Sequence, residues 1–295
     1  MPTPASLPAP RPAPLLGLGL ALGLGLALGL AGAALAFPPA PFHRVAGMVR
    51  TEMGDPLNLT NAVVFLETDA GVRVKTSVKP NLGPGRNYAL SIPMDSGTTG
   101  DNYKATALRA AMTYRMKVQV GAVTYLPIET ALSKATLGRP AQVTQMDLTL
   151  GEDTDGDGLP DAWERALMAM LGSNRTLADI RPGDDSDGDG IPNLAEYRAG
   201  TYAFDPEDGF KLEVVGTREG RMVLEFLAIP GRRYEIHAGN DLSRWVPATF
   251  RLPSDAANAP RRTEWIATRT QLLRIEAEPP STAEAPESYF KAVVR

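Results

Sequence analysis

The chain has 295 residues, 43% apolar and 22% charged, with a net charge of −4 and no cysteine. That composition belongs to a folded chain rather than a disordered one. It leaves no bulk basic field to hold nucleic acid, and it excludes disulfide scaffolds, thiolate zinc sites, cysteine nucleophiles and lipidation at a cysteine.

The first 42 residues hold 9 of the 26 prolines and no acid. Arg11 is the only charge before His43, and a Leu/Gly/Ala run fills residues 15–36. The run ends in Ala34-Leu35-Ala36, a small-x-small pattern, so residues 1–36 read as a cleaved signal peptide. The run is also long enough to span a bilayer, but Gly17, Gly19, Gly23, Gly25 and Gly29 weaken it as a helix. Any membrane attachment would come through this segment if it stayed uncleaved. Residues 37–43 read as a short, stiff linker.

From residue 44 to 150 apolar and polar residues alternate with period two, most clearly over residues 115–120 and 146–150. Residues 45–49, 62–66, 72–78 and 88–92 read as further strands, with turn signals at 81–85 and 96–100. Short strands at this spacing predict an N-terminal β-sandwich. Strand patterns return at 210–214, 222–226, 234–236, 272–275 and 289–294, and they predict a second, smaller sandwich over 209–295. The fold class expected is mainly β: two sandwiches joined by a small loop-and-helix module at 151–208.

That middle module concentrates the acid. Residues 152–196 carry twelve Asp/Glu against three Arg, a net of −9, which leaves +5 on the rest of the chain. Bare, such a segment would repel itself. Its acids fall in two copies of one pattern, D-x-D-x-D-G-x5-E. The first is Asp153, Asp155, Asp157, Gly158, Leu159, Asp161 and Glu164; the second is Asp185, Asp187, Asp189, Gly190, Ile191, Asn193 and Glu196. Ca²⁺ takes six to eight hard oxygens, and alternate carboxylates on a tightly turning chain converge on one point. Gly158 and Gly190 permit the sharp turn, with positive φ expected. The carbonyls of Leu159 and Ile191 add oxygens, Asp161 and Asn193 act at the ninth position through water, and Glu164 and Glu196 close the cage. Two Ca²⁺ are therefore expected. Mg²⁺ prefers fewer protein ligands, and zinc would want cysteine or histidine nearby.

Each loop leads into a helix, but none enters it. The first helix is expected over 161–171, with Leu159, Trp163, Leu167, Met170 and Leu171 on one face and Gly172 as its stop. The second is expected over 193–199, with Leu194 and Tyr197 inward and Gly200 as its stop. Pro160 and Pro192 stand at the eighth loop position and lack the N–H that a paired sensor loop uses. Stabilisation by metal, rather than sensor-like opening, follows.

D-x-D-x-D-G-x-P-D-x-x-E with only an exiting helix resembles the calcium loops of thrombospondin type 3 repeats and dockerins, a variation on the EF-hand. Gly200-Thr201 followed by Asp205-Pro206 is similar to the GTDP trailing such repeats, with three residues inserted. The whole layout resembles secreted proteins of Verrucomicrobia-type bacteria, in which a carboxypeptidase-regulatory-like β-domain leads into the calcium loops. Their C-terminal sandwich carries a motif like Pro230-Gly231 through Tyr234 and Asp241 to Trp245, and ends like Tyr289-Phe290. The resemblance implies architecture and calcium, not an activity.

Only two histidines exist, His43 and His237, and no G-x-S-x-G elbow accompanies them. No catalytic residue and no organic cofactor is therefore expected. The expected function is a secreted or cell-envelope, calcium-binding, structural or adhesion-type protein with a metal-stabilised joint. The alternative is a docking or glycan-binding module whose partner is a protein or glycan at the cell surface.

Overall fold

A computed structural model describes residues 39–80, 82–98, 100–172, 174–279 and 288–295. The expected signal peptide, residues 1–36, and residues 37 and 38 of the expected linker lie outside them. Residues 39–295 form one compact unit, mainly β, with three α-helices among the described residues.

The N-terminal core lies between two sheets. One holds Ala40–Gly47 between Tyr88–Met94, antiparallel, and Val143–Gln145, parallel. The other holds Ala62–Thr68 paired with Arg73–Ser77 and with Thr113–Val120, whose other edge carries Val123–Tyr125 and Ala135–Thr136. Their inward residues, among them Val45, Leu90, Ile92, Val64, Leu66, Met116 and Val118, form one buried cluster. A two-stranded parallel pair, Val49–Arg50 with Leu148–Thr149, leads out toward the acidic segment. The short helix α1 (Ile128–Ala131) packs there, and Glu129 accepts from the Thr149 backbone N–H and hydroxyl.

The first strand begins at Ala40, inside the stretch that the sequence marks as linker. His43 is fully buried in that strand, and its ring nitrogens meet the Arg139 carbonyl and the Thr144 hydroxyl at 3.1 Å each. It is a satisfied core histidine. The period-two stretch 146–150 is strand only over Leu148–Thr149. Asp147 breaks the ladder by taking the Met48 N–H on its carboxylate.

The C-terminal core is built the same way. One sheet runs Glu213–Arg218, Arg221–Ala228, Gln271–Ala277, Phe250–Arg251. The other centres on Arg233–Gly239, paired with Val246–Pro247, Glu264–Ile266 and Tyr289–Val294. Phe226 and Tyr234 meet with ring centroids 4.9 Å apart, and Phe210 covers both. Phe210 and Leu212 pack on this core from an irregular segment, so the strand expected at 210–214 starts three residues later.

Between the two cores lies a third cluster: Leu159, Leu167, Ile180, Tyr197 and Ala203, with Trp163 edge-on to Tyr197 at 5.6 Å. Helix α2 (Asp161–Leu171) and helix α3 (Asn193–Ala199) supply its walls. Met170, expected on the inner face of α2, is 60% exposed, and Met168 packs inward in its place.

The sandwiches also touch directly, through two buried arginines. Arg50 donates to the Gly231 carbonyl at 2.6 Å and pairs with Asp147 at 3.3 Å. Arg232 donates to the Gly54 carbonyl at 2.6 Å and, through Nε, to the Arg198 carbonyl in the last turn of α3 at 3.0 Å. Burial, and the Arg50 guanidinium beside it, hold Arg232 below its ordinary pKa. Gly54 and Gly200 flank it: a Cβ on Gly200 would stand 2.9 Å from Nη2. Each sandwich thus bonds the other's backbone, and Arg232 adds helix α3 to the same clasp.

Candidate metal centre

The two acidic loops are built by the same local bonds. Asp153 accepts the Gly156 and Asp157 N–H groups on one oxygen and the Gly158 N–H on the other. Asp185 takes Gly188 at 2.7 Å and Gly190 at 2.8 Å in the same way. Asp157 and Asp189 each accept the N–H two residues on, from Leu159 and Ile191. These turns need positive φ, and glycine supplies it twice per loop: Gly156 and Gly158 at 77° and 97°, Gly188 and Gly190 at 85° and 94°. The second glycine of each pair is the one the sequence pattern marks.

This folding brings Asp153, Asp155 and Asp157 together, with an oxygen of each within 4.8 Å of the others, and likewise Asp185, Asp187 and Asp189. The following helices start where the motif requires, after Pro160 and Pro192, and both end at a left-handed glycine, Gly172 or Gly200. Their first turns place Glu164 and Glu196 fully out of solvent. Both oxygens of Glu164 lack any hydrogen-bond partner; so do Glu196 Oε2 and Asp187 Oδ2. The other Glu196 oxygen takes the Thr201 hydroxyl at 3.2 Å.

Buried, unpartnered carboxylate oxygens are costly unless something positive satisfies them. Burial raises the Glu164 pKa to about 8, and the charges of Asp155, Asp157, Asp161 and Asp153 add to the shift. Glu196 goes to about 7 for the same reasons, burial first and then Asp187. Burial also raises Asp157 and Asp187. Each glutamate therefore sits in the field of its own triplet. An all-oxygen set of three aspartates and one orphaned glutamate fits a hard divalent cation.

The ninth positions differ. Asp161 is buried, but its carboxylate is already engaged: Thr154 N–H and hydroxyl donate at 2.7 and 2.6 Å, and Arg165 at 2.8 Å. Burial pushes its pKa up, yet the Thr154 bonds and Arg165 outweigh that and hold it below the usual carboxylate range. Asp161 thus latches the first loop from behind rather than offering a free oxygen. Asn193 donates Nδ2 to the Arg181 carbonyl and keeps a buried Oδ1 without a partner. The latch partners Thr154 and Arg165 carry no signal in the motif, because nothing in its spacing calls for them. Leu159 is fully buried and Ile191 partly so.

Each loop rests on a different sandwich. A Cβ on Gly156 would lie 3.1 Å from Leu132, just beyond α1. A Cβ on Gly209, where the chain enters the C-terminal sandwich, would collide with Asp189 Oδ2 at 2.0 Å.

The titration has a sign that can be measured. Without metal, the folded chain keeps protons on Glu164 and Glu196 up to about pH 8 and 7, whereas the unfolded chain releases them near 4.5. The folded state binds more protons in that window, so metal-free stability should fall as pH rises through it and then level off. A cation displaces those protons. Metal binding below neutral pH should therefore release protons, and affinity should rise with pH. Calorimetry in two buffers of different ionisation enthalpy reads the release; a count near zero in mildly acidic buffer would contradict it.

No helix of the described residues is long and apolar enough to cross a membrane. No curated protein matches the chain. The comparison with family models matches the two loop–helix segments, residues 153–167 and 185–201, to the bacterial TSP3 repeat, a calcium-binding repeat of extracellular proteins.

Proposed function

We propose that this chain is a secreted or cell-envelope, non-catalytic structural protein in which two Ca²⁺ stiffen the joint between two β-sandwiches. The carrying observation is the pair of buried glutamates, each unpartnered on at least one oxygen and each in the field of an aspartate triplet. Asp153, Asp155, Asp157 and Glu164 would hold one ion, and Asp185, Asp187, Asp189, Asn193 and Glu196 the other, with the Leu159 and Ile191 carbonyls available to each. The ion supplies charge neutralisation and cross-linking of the loop to its helix. The rest is done by the chain: Leu159 anchors the first loop in the small core, Asp161 latches it, and Arg232 ties α3 to both sandwiches.

Glu164→Gln separates a metal ligand from a merely structural carboxylate. In chelator at about pH 9 the variant should melt higher than the parent chain, because a buried, unpaired charge is gone. In calcium it should melt lower, because a ligand is gone. Melting below the parent under both conditions would sink the metal reading.

One observation favours a second reading, docking of a protein or glycan. A cleft of about 350 Å³ lies beside α2 and α3, lined by Met53, Trp163, Met170, Tyr202, Phe204 and Ile229. Met170 and Tyr202 are exposed on it. Glycan-array binding lost on Tyr202→Ala, with calcium stoichiometry unchanged, would favour that role over the joint alone.

A further inference from the structure

The C-terminal sandwich has one edge unlike its others. Among the described residues, strand Glu213–Arg218 closes its sheet and is hydrogen-bonded on one side only, to Arg221–Ala228. All six of its residues are exposed, Val214 and Val215 among them. Such an edge is a row of unpaired N–H and C=O groups ready for another strand. Other edges are blunted. Val246–Pro247 and Phe250–Arg251 are two residues long, Tyr289–Val294 carries Lys291 mid-strand, and Arg73–Ser77 carries Arg73 and Lys75.

Its charges sit at the two ends, and a bulge aligns them. The pairing shifts by one residue between Val214 and Gly216, so Glu213 lies opposite Glu225 and Arg218 opposite Arg221. Glu225 and Arg221 are four apart on a regular strand and share a face. The extra residue therefore puts Glu213 and Arg218 on one face, although they are five apart. Within the chain each faces a like charge across the ladder, an unfavourable arrangement. Glu225 is committed to Arg274, and Arg221 to Glu219 and Glu278. Arg218 gives one nitrogen to Glu276 and remains 58% exposed.

We propose that this edge pairs antiparallel with the same edge of a second copy of the chain, making one continuous sheet across a two-fold axis at Gly216. A two-fold contact must be self-complementary, and this strand is. Glu213 falls opposite Arg218 of the second copy and Arg218 opposite its Glu213, while Val214 falls opposite Thr217. Gly216 faces itself on the axis, where no side chain can clash. Without the bulge Glu213 and Arg218 would lie on opposite faces, and no symmetric register would join them. The contact stands on the C-terminal sheet and owes nothing to the metal loops.

Sedimentation velocity on residues 39–295 in calcium, over roughly 1–100 µM, tests it. The chain should dimerise with concentration. Glu213→Arg should weaken the dimer by about tenfold or more, and Glu213→Arg combined with Arg218→Glu should restore it. A monomer throughout, a dimer indifferent to Glu213→Arg, or a double variant that folds but stays monomeric would each overturn the proposal. Should the double variant fail to fold for want of the Glu276 bond, Val215→Cys decides. The chain has no other cysteine, so Val215→Cys should cross-link to a disulfide dimer faster than Val123→Cys, on the exposed edge Val123–Tyr125. Equal rates would refute the contact.

Discussion

Removing calcium should lower the melting temperature of the chain by roughly 10–20 °C relative to saturating calcium. A site filled at about a hundredfold excess over its Kd contributes on the order of 2.7 kcal/mol, so two sites contribute about 5. For a unit of this size each kcal/mol moves the midpoint by roughly 2–4 °C. The loss reaches the whole unit because the metal module is not a pendant. Leu159 stands at the end of the first loop and is buried in the small core with Leu167 and Tyr197. Helix α3 carries both Glu196 and the carbonyl that Arg232 holds. Differential scanning calorimetry with calcium and with chelator measures the difference. A shift under a few degrees, with calcium demonstrably bound, would mean that the loops fold without cross-linking anything that matters to the sandwiches.

Arg232→Ala should cost about 2–4 kcal/mol and loosen the two sandwiches even with calcium present. Hydrogen bonds to a charged group contribute about 1.5–3 kcal/mol each, and Arg232 makes two to backbone carbonyls, the one to Gly54 buried and the one to Arg198 part-buried. Part of that is offset, because the substitution also frees Arg50 from a neighbouring like charge and removes a desolvated guanidinium. Arg232→Lys should not rescue the loss. A single ammonium cannot serve the Gly54 and Arg198 carbonyls in the geometry of the planar fork, and the space between Gly54 and Gly200 is shaped for that fork. Small-angle scattering should report a larger radius of gyration for Arg232→Ala in calcium. A melt and a scattering profile identical to the parent's would show that the metal module alone sets the joint.

The two loops and their helices were legible in the sequence because they are written in a local code. Asp153 reaches no farther than Gly158 and Asp185 no farther than Gly190, and glycine decides each turn by φ alone. The helix stops at Gly172 and Gly200 are equally local, since a left-handed residue ends a helix whatever surrounds it. The mainly-β class was legible for a similar reason: period-two burial follows from strand geometry and needs no partner to be named.

Tertiary structure decided what depends on residues far apart in the chain. His43 at the start of the first strand is a core residue only because Arg139 and Thr144 arrive beside it. Met168 and Met170 lie about 200° apart around α2, and only the placement of the small core decided which of the two faces it. Asp161 and Asn193 hold equivalent places in their loops, yet Thr154 and Arg165 consume the first while the second keeps a free buried oxygen. The arginine clasp is the extreme case. Arg232 bonds Gly54 across 178 positions and Arg50 bonds Gly231 across 181. No periodicity or spacing announces such a contact, because its energy comes from burying two charges against carbonyls that only the finished packing brings within reach.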